Sequence, residues 1–238
     1  MREDDLMTDS LQRFEKLLYN HLIPEFCEDA SRLVSSDSFR KASQKIGQLD
    51  AEYFLKAWNN HLVKHRGRGL YRTSRSCASE QFFWTGKKVS EGERAFTLWL
   101  EPVITVGGLA RLHFDWGWPE ELIGTQSSDW AFDLVAYLPG CDSEIIAGEV
   151  KKTRKEIDEL IELMNGFCKS SGNMEGLSAK ERNALRKVAG LRRSSARVFW
   201  ALGPDGYSRS FIVSYRENEE IHLQERPDSI LDYALYKE

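Results

Sequence analysis

The chain has 238 residues, 41% hydrophobic and 11% aromatic, with a formal net charge of −4. That length suits one large domain or one domain with an extension, and the aromatic content, seven Trp included, can fill a substantial core. The small negative balance excludes a generally polycationic nucleic-acid binder, so any grip on a polyanion has to be local.

The four cysteines, Cys27, Cys77, Cys141 and Cys168, form no CxxC pair. Neither a zinc ribbon nor a redox motif is expected, and the setting is read as reducing. The first residues are acidic and polar, unlike a signal peptide, and no apolar run approaches spanning length. A cytoplasmic protein without membrane contact is expected.

Residues 5–64 read as helical. Leu11, Phe14, Leu17, Leu18 and Leu22 recur at helical spacing, Pro24 opens a second helix, and Asp50 is the expected N-cap of a third carrying Phe54, Trp58 and Leu62. From residue 64 to 75 the chain turns basic, and Gly67 and Gly69 favour a loop. Arg66, Arg68 and Arg72 there suit phosphate contact, because guanidinium groups bind phosphate oxygens in pairs. A solvated basic linker is the other reading. Residues 1–75 are therefore expected as an all-helical N-terminal extension ending in a basic loop, and residues 76–238 as a second, mixed α/β domain.

Ser90-Glu91-Gly92-Glu93 matches a capping box, which predicts a helix from there through Phe96, Trp99 and Leu100 past Glu101. Leu109 to Trp116 partly alternates and predicts a strand, and residues 121–128 predict a loop. Residues 130–152 read as two strands joined at Pro139-Gly140. A helix follows from about Thr153 to Cys168, with an apolar stripe of Ile157, Leu160, Ile161, Met164 and Phe167. Ser178 caps another, with Glu181 completing its capping box. Residues 180–197 are strongly basic. Arg186, Lys187, Arg192 and Arg193 are candidate nucleic-acid contacts, with a solvated face as the alternative. Strands are expected at Val198–Leu202, Tyr207–Tyr215 and Ile221–Gln224. The order implies an α/β fold with one mixed central sheet flanked by helices.

The chemistry concentrates in the hairpin. Alternate strand residues share a face, so Glu149 and Lys151 point one way and Val150 points into the core. With a turn at 139–143, Leu138 faces Glu144 and Asp133 faces Glu149, whose Cβ atoms are then roughly 5 Å apart. Two carboxylates that close repel and need a proton, a lysine or a cation. Mg²⁺ takes one or two carboxylates, waters and phosphate oxygens, so Asp133, Glu149 and the Val150 carbonyl form a candidate metal site. Lys151 would offset charge developing on a phosphate. Asp129 is a fallback ligand on the same strand parity. Glu-x-Lys by itself occurs roughly once by chance in a chain this long. The weight comes from an acid at the start of the preceding strand and an amphipathic helix afterwards.

These residues, Asp133, then 134–148, then Glu149-Val150-Lys151, resemble the PD-(D/E)xK nuclease superfamily, the restriction-endonuclease-like enzymes. The resemblance spans about residues 90–202. It implies a core of a helix, three strands, a helix and a fourth strand, with Asp133 and Glu149 as metal ligands and Lys151 as the catalytic lysine. Phe132 stands where the motif has proline. Members often add a glutamate from the first core helix, and Glu101 is preferred over Glu93, which the capping box already explains. The Gln-x-x-x-Tyr signature of RecB-like members is missing from the helix after Lys151.

The resemblance implies a Mg²⁺-dependent nuclease, with Mn²⁺ as a substitute, acting on DNA in restriction, phage defence or repair. RNA stays open as a substrate, and so does assembly as a homodimer or larger complex. The alternatives are a catalytically inactive nuclease-like module that binds nucleic acid or a protein partner, and a purely structural α/β protein.

Overall fold

The computed structural model describes residues 3–41, 45–87, 92–169, 174–216 and 220–237. Helix α1 (Glu3–Leu17) runs through a π-helical turn at Leu18–Leu22 into α2 (Ile23–Cys27), and α3 (Gln48–Asn59) follows. Phe14, Leu18, Leu22, Ile23, Phe26 and Phe54 bury the apolar faces of these helices. Asp50 does not cap α3 as expected. Gly47 takes the cap position, and the Asp50 carboxylate reaches back from the third helical residue to accept the Gly47 N–H at 3.2 Å.

The N-terminal part is not all helix, and the basic stretch is not an open loop. Strands β1 (Lys64–His65) and β2 (Leu70–Arg72) pair antiparallel, and β3 (Glu80–Gln81) extends them to a three-stranded sheet. Gly67, Arg68 and Gly69 all take positive φ, and this tight turn folds the basic stretch back on itself.

A second small sheet pairs β4 (Phe83–Thr85) with β5 (Phe96–Leu98). This corrects the helix expected from residue 90. Ser90 and Glu91 lie outside the described residues, Phe96 is in a strand, and helix α4 begins only at Leu100 and runs to Phe114. Glu101 lies in its first turn, and so does Pro102, the place where proline costs a helix least. The strand expected from Leu109 is the second half of this same helix. Val103, Ile104, Val106, Leu109, Ala110 and Leu112 are all buried. With apolar residues almost all round, α4 has no polar stripe to reveal a helical period.

The main sheet has six strands: β6 (Ile123–Thr125), β7 (Leu134–Tyr137), β8 (Glu144–Val150), β9 (Val198–Leu202), β10 (Ser208–Tyr215) and β11 (Ile221–Arg226). The spatial order is β11-β10-β9-β8-β7-β6. Strand β6 replaces part of the loop expected at 121–128. Every pair is antiparallel except β8 with β9. A parallel pair needs a long crossover, and here it carries α5 (Arg154–Phe167) and α6 (Ala179–Ser194). Helix α6 starts at the expected cap, Ser178, which accepts the Glu181 N–H, and Thr153 caps α5 by accepting the Glu156 N–H.

Strand alternation divides the core in two. Leu134, Ala136, Ile146, Val150, Trp200 and Leu202 face α4 and the N-terminal helices. Val135, Tyr137, Ala147, Phe199 and Ala201 face Ile157, Leu160, Ile161 and Met164 of α5 and Ala184, Val188 and Leu191 of α6. All seven residues of β8 are buried, as its apolar run suggested. Residues before and after position 75 share the core on the α4 side. Among the described residues no helix is long and apolar enough to cross a membrane.

Candidate functional site

The ends of β7 and β8 come together in the expected register. Leu134 pairs with Gly148, Val135 with Ala147 and Ala136 with Ile146, and the Asp133 N–H donates to the Gly148 carbonyl at 2.9 Å. Asp133 therefore stands beside Glu149. Towards the turn the register slips at a bulge between Ala136 and Tyr137, which sets Tyr137, and not Leu138, opposite Glu144. The slip lies at the far end of the hairpin and leaves the acids in register.

Asp133 is partly buried, and its Oδ2 accepts the Val150 N–H at 2.9 Å. Burial, reinforced by the charge of Glu149, pushes its carboxyl up to about 7 against the pull of Lys187 and Lys151. Glu149 is 2% exposed. Its Oε1 is bound by the Lys151 ammonium, which also donates to the Val150 carbonyl at 3.0 Å. Burial works against the charged Lys151, but Glu149, Asp133 and Glu101 outweigh it and raise its pKa. Lys151 is thus held as a cation at neutral pH.

The other oxygen of Glu149 meets Lys187. This lysine was expected on a nucleic-acid-binding surface, and the structure corrects that: it is 7% exposed, on the inner face of α6. Its ammonium contacts Glu149 Oε2 and donates to the Ala131 carbonyl, two residues before Asp133. The contact with Oε2 lies off a hydrogen-bond direction, so that buried oxygen has a charge partner but no hydrogen bond. The residue spacing of α6 carried a clue. Ala184, Lys187, Val188 and Leu191 share one helical stripe, and a lysine in an apolar stripe needs a buried counter-charge. Gly190, one turn on, lets α6 come close, since a Cβ there would lie 2.8 Å from Ala131 Cβ and 2.9 Å from Phe132 Cε2.

Glu101 joins this group from α4. Burial raises its pKa, Lys151 opposes the rise, and Glu149 and Glu156 add to it. Glu93 is elsewhere, accepting a hydrogen bond from Ser35. Asp129 belongs to the turn before β7, where it pairs with Arg193 and accepts the Ala131 N–H at 2.9 Å. Two residues were missed by sequence reasoning. Tyr71 of β2 is buried, and after burial the charges of Glu80 and Asp133 raise its pKa. Glu80 of β3 is itself raised by burial. The small three-stranded sheet thus borders Asp133. Glu80 is the first acid after Glu52, a signal visible in the sequence.

The remaining basic residues divide. Arg66 and Arg68 are exposed on the β1–β2 turn, and Arg186 and Arg193 are exposed on α6. Arg72 donates to the Ser76 carbonyl at 3.0 Å, and Arg192 to the Phe167 and Cys168 carbonyls at 3.2 Å, so these two brace the fold.

Among the described residues no group of three or more His, Cys, Asp or Glu is arranged to hold a metal ion. A cation here would rely on two carboxylates and a carbonyl, with water and substrate oxygens completing its shell, a set that Mg²⁺ accepts. Oxygen donors of these types suit such an ion. The Lys151 ammonium, itself a cation, is already held by a Glu149 oxygen and the Val150 carbonyl. No family model, curated protein or solved structure matches the chain.

Proposed function

We propose that the chain is a Mg²⁺-dependent nuclease of the PD-(D/E)xK kind that hydrolyses DNA phosphodiesters. The observation that carries this reading is the gathering of Asp133, Glu149, Lys151 and Glu101 at one end of β7 and β8, with both ammonium groups turned on Glu149. The order α4, β6–β7–β8, α5, β9 supports it, because it repeats the helix, three strands, helix and fourth strand of that superfamily. Helix α6 is an addition between the last two.

Asp133, Glu149 and the Val150 carbonyl would hold the ion, and Glu101, whose carboxyl feels the charges of Lys151 and Glu149, would bind one of its waters. A bound Mg²⁺ lowers the pKa of coordinated water and polarises the phosphate. Lys151, kept protonated, serves as a positive partner for phosphate oxygens and not as a base. Lys187 holds Glu149 in place from behind. Arg66, Arg68, Arg186 and Arg193 are the exposed candidates for backbone phosphates.

Incubation with linear DNA, circular DNA and RNA, in Mg²⁺, Mn²⁺ or EDTA, tests the reading. Wild type should cut DNA only with a divalent ion, and Lys151→Ala should lower the rate about 100- to 1000-fold while leaving the fold intact. Wild type that cuts no nucleic acid under any of these conditions refutes the enzyme. One observation favours the second reading, a silent nucleic-acid-binding relative: both Glu149 oxygens already have a lysine partner. Divalent-independent binding without cutting would establish it.

A further inference from the structure

Three tryptophans are exposed: Trp130 at 62%, Trp84 at 57% and Trp99 at 37%. Trp118 and Trp200 are fully buried, so the protein has room for indoles in its core and leaves these three out. Trp99 and Trp130 are tied by the chain to the candidate site, and Trp84 through its contact with Trp99. Trp99 is the N-cap residue of α4, two residues before Glu101. Trp130 comes three residues before Asp133. At 3.8 Å per residue, the Cα of Trp99 lies within ~8 Å of that of Glu101, and the Cα of Trp130 within ~11 Å of that of Asp133.

Trp84 lies opposite Thr97 on the β4–β5 pair, and its ring sits 6.0 Å from that of Trp99 at an interplanar angle of 65°. Two stacked indoles would each lose a face to the other, whereas in an edge-on pair only one ring does, and both rings here keep exposed surface. Trp130 has φ +59°, a region that bulky residues rarely occupy, and its N–H is fixed to the Ser127 carbonyl at 2.9 Å. Positive charge borders the same place, since Lys151 and exposed Lys152 both act on Glu101.

We propose that Trp84, Trp99 and Trp130 form a stacking platform for unpaired bases, so that the substrate is a single strand or a locally unpaired one. The proposal rests on the nuclease reading for the position of the scissile phosphate, but not for binding itself. In a duplex each base face is covered by its neighbours, and an indole has nothing to stack on. In a single strand every base offers a face, whatever its identity. Lysines for the phosphates together with indoles for the bases make a single-strand groove. An apolar protein partner would have no use for the lysines.

The experiment is carried out in EDTA, where no cutting occurs. A labelled oligothymidylate and a duplex of equal length are titrated with the protein and followed by anisotropy. The single strand should bind more tightly and should quench tryptophan fluorescence. Trp99→Ala and Trp84→Ala should each weaken its binding about 5- to 100-fold, the range expected for one stacked base, and Trp99→Phe should weaken it less. Equal affinity for duplex and single strand overturns the platform, as do Trp→Ala variants that bind like wild type. The same proteins are then given Mg²⁺. Single-strand binding through the indoles without cutting leaves the platform standing and removes the nuclease. Cutting with unchanged binding by the Trp variants does the reverse.

Discussion

Asp50 and Glu149 are buried to a similar degree, 5% and 2% exposed, and are satisfied in opposite ways. Asp50 accepts the Asp205 N–H at 2.9 Å and the Gly47 N–H at 3.2 Å. Its partners are neutral backbone groups fixed by the turn after β9 and the start of α3, and nothing has to move for the carboxylate to keep them. Glu149 has two ammonium groups instead, one from Lys151 just past the end of β8 and one from α6. Ammonium groups on flexible stems can be exchanged for another cation, whereas backbone N–H groups cannot. A buried acid held by backbone closes a joint, and a buried acid held by lysines is poised for exchange. The two lysines also differ. The Lys151 side chain is 20% exposed and Lys187 only 9%, so Lys151 is the one free to leave.

The comparison can be broken first at Lys187. Lys187→Met leaves Glu149 Oε2 buried without a counter-charge and should cost about 3 kcal/mol in urea unfolding. Adding Glu149→Gln should recover part of that loss. Unchanged stability would return Lys187 to a surface role. Asp50→Ala should cost about 2 kcal/mol by orphaning the Asp205 and Gly47 N–H groups. Nuclease activity per folded molecule should stay at the wild-type level, and a loss of turnover would mean that the two acids are not distinct in kind.

The remaining test is in pH. Burial raises the pKa of both Asp50 and Asp133, the latter from 3.8 to about 7. An acid that holds its proton more tightly when folded stabilises the fold below its unfolded pKa, and that contribution disappears as pH rises through its folded pKa. In EDTA, stability should therefore fall as pH rises above about 4, with the Asp133 share lost by about pH 7, at no more than about 1.4 kcal/mol per pH unit for each group. Mg²⁺ should oppose the Asp133 share and leave the Asp50 share alone. If Asp133→Asn shows the same pH slope as wild type in EDTA, the assignment to Asp133 fails.

Much of the site was legible because strand chemistry is local. Two-residue periodicity and a Pro-Gly turn placed Asp133 beside Glu149, and the bulge at Tyr137 disturbed only the far end. The choice of Glu101 over Glu93 agrees with the electrostatic neighbourhood of Lys151, although the helix expected to carry it began in the wrong place. Helix α4 was hard to read because Val, Ile, Thr and Gly fill a helix buried nearly all round, and such residues imitate a strand. The three-stranded sheet at Lys64–Gln81 depends on a turn with three consecutive positive φ angles, one of them at Arg68, where no sequence rule demands it. Lys187 was misplaced for a different reason. Its partner is far away along the chain, and a basic helix draws attention to its charge before its stripe.

Gly190 carries no charge and no side chain, yet it works as a spacer gauge for the whole constellation. The missing methyl sets how closely α6 sits against Ala131 and Phe132, and the reach of Lys187 is measured from that seat. A single carbon added there would lift the helix and lengthen the tether on Glu149 without altering one titratable atom. The tolerance of this electrostatic site is therefore written in van der Waals contact, at a position that any search for chemistry would pass over.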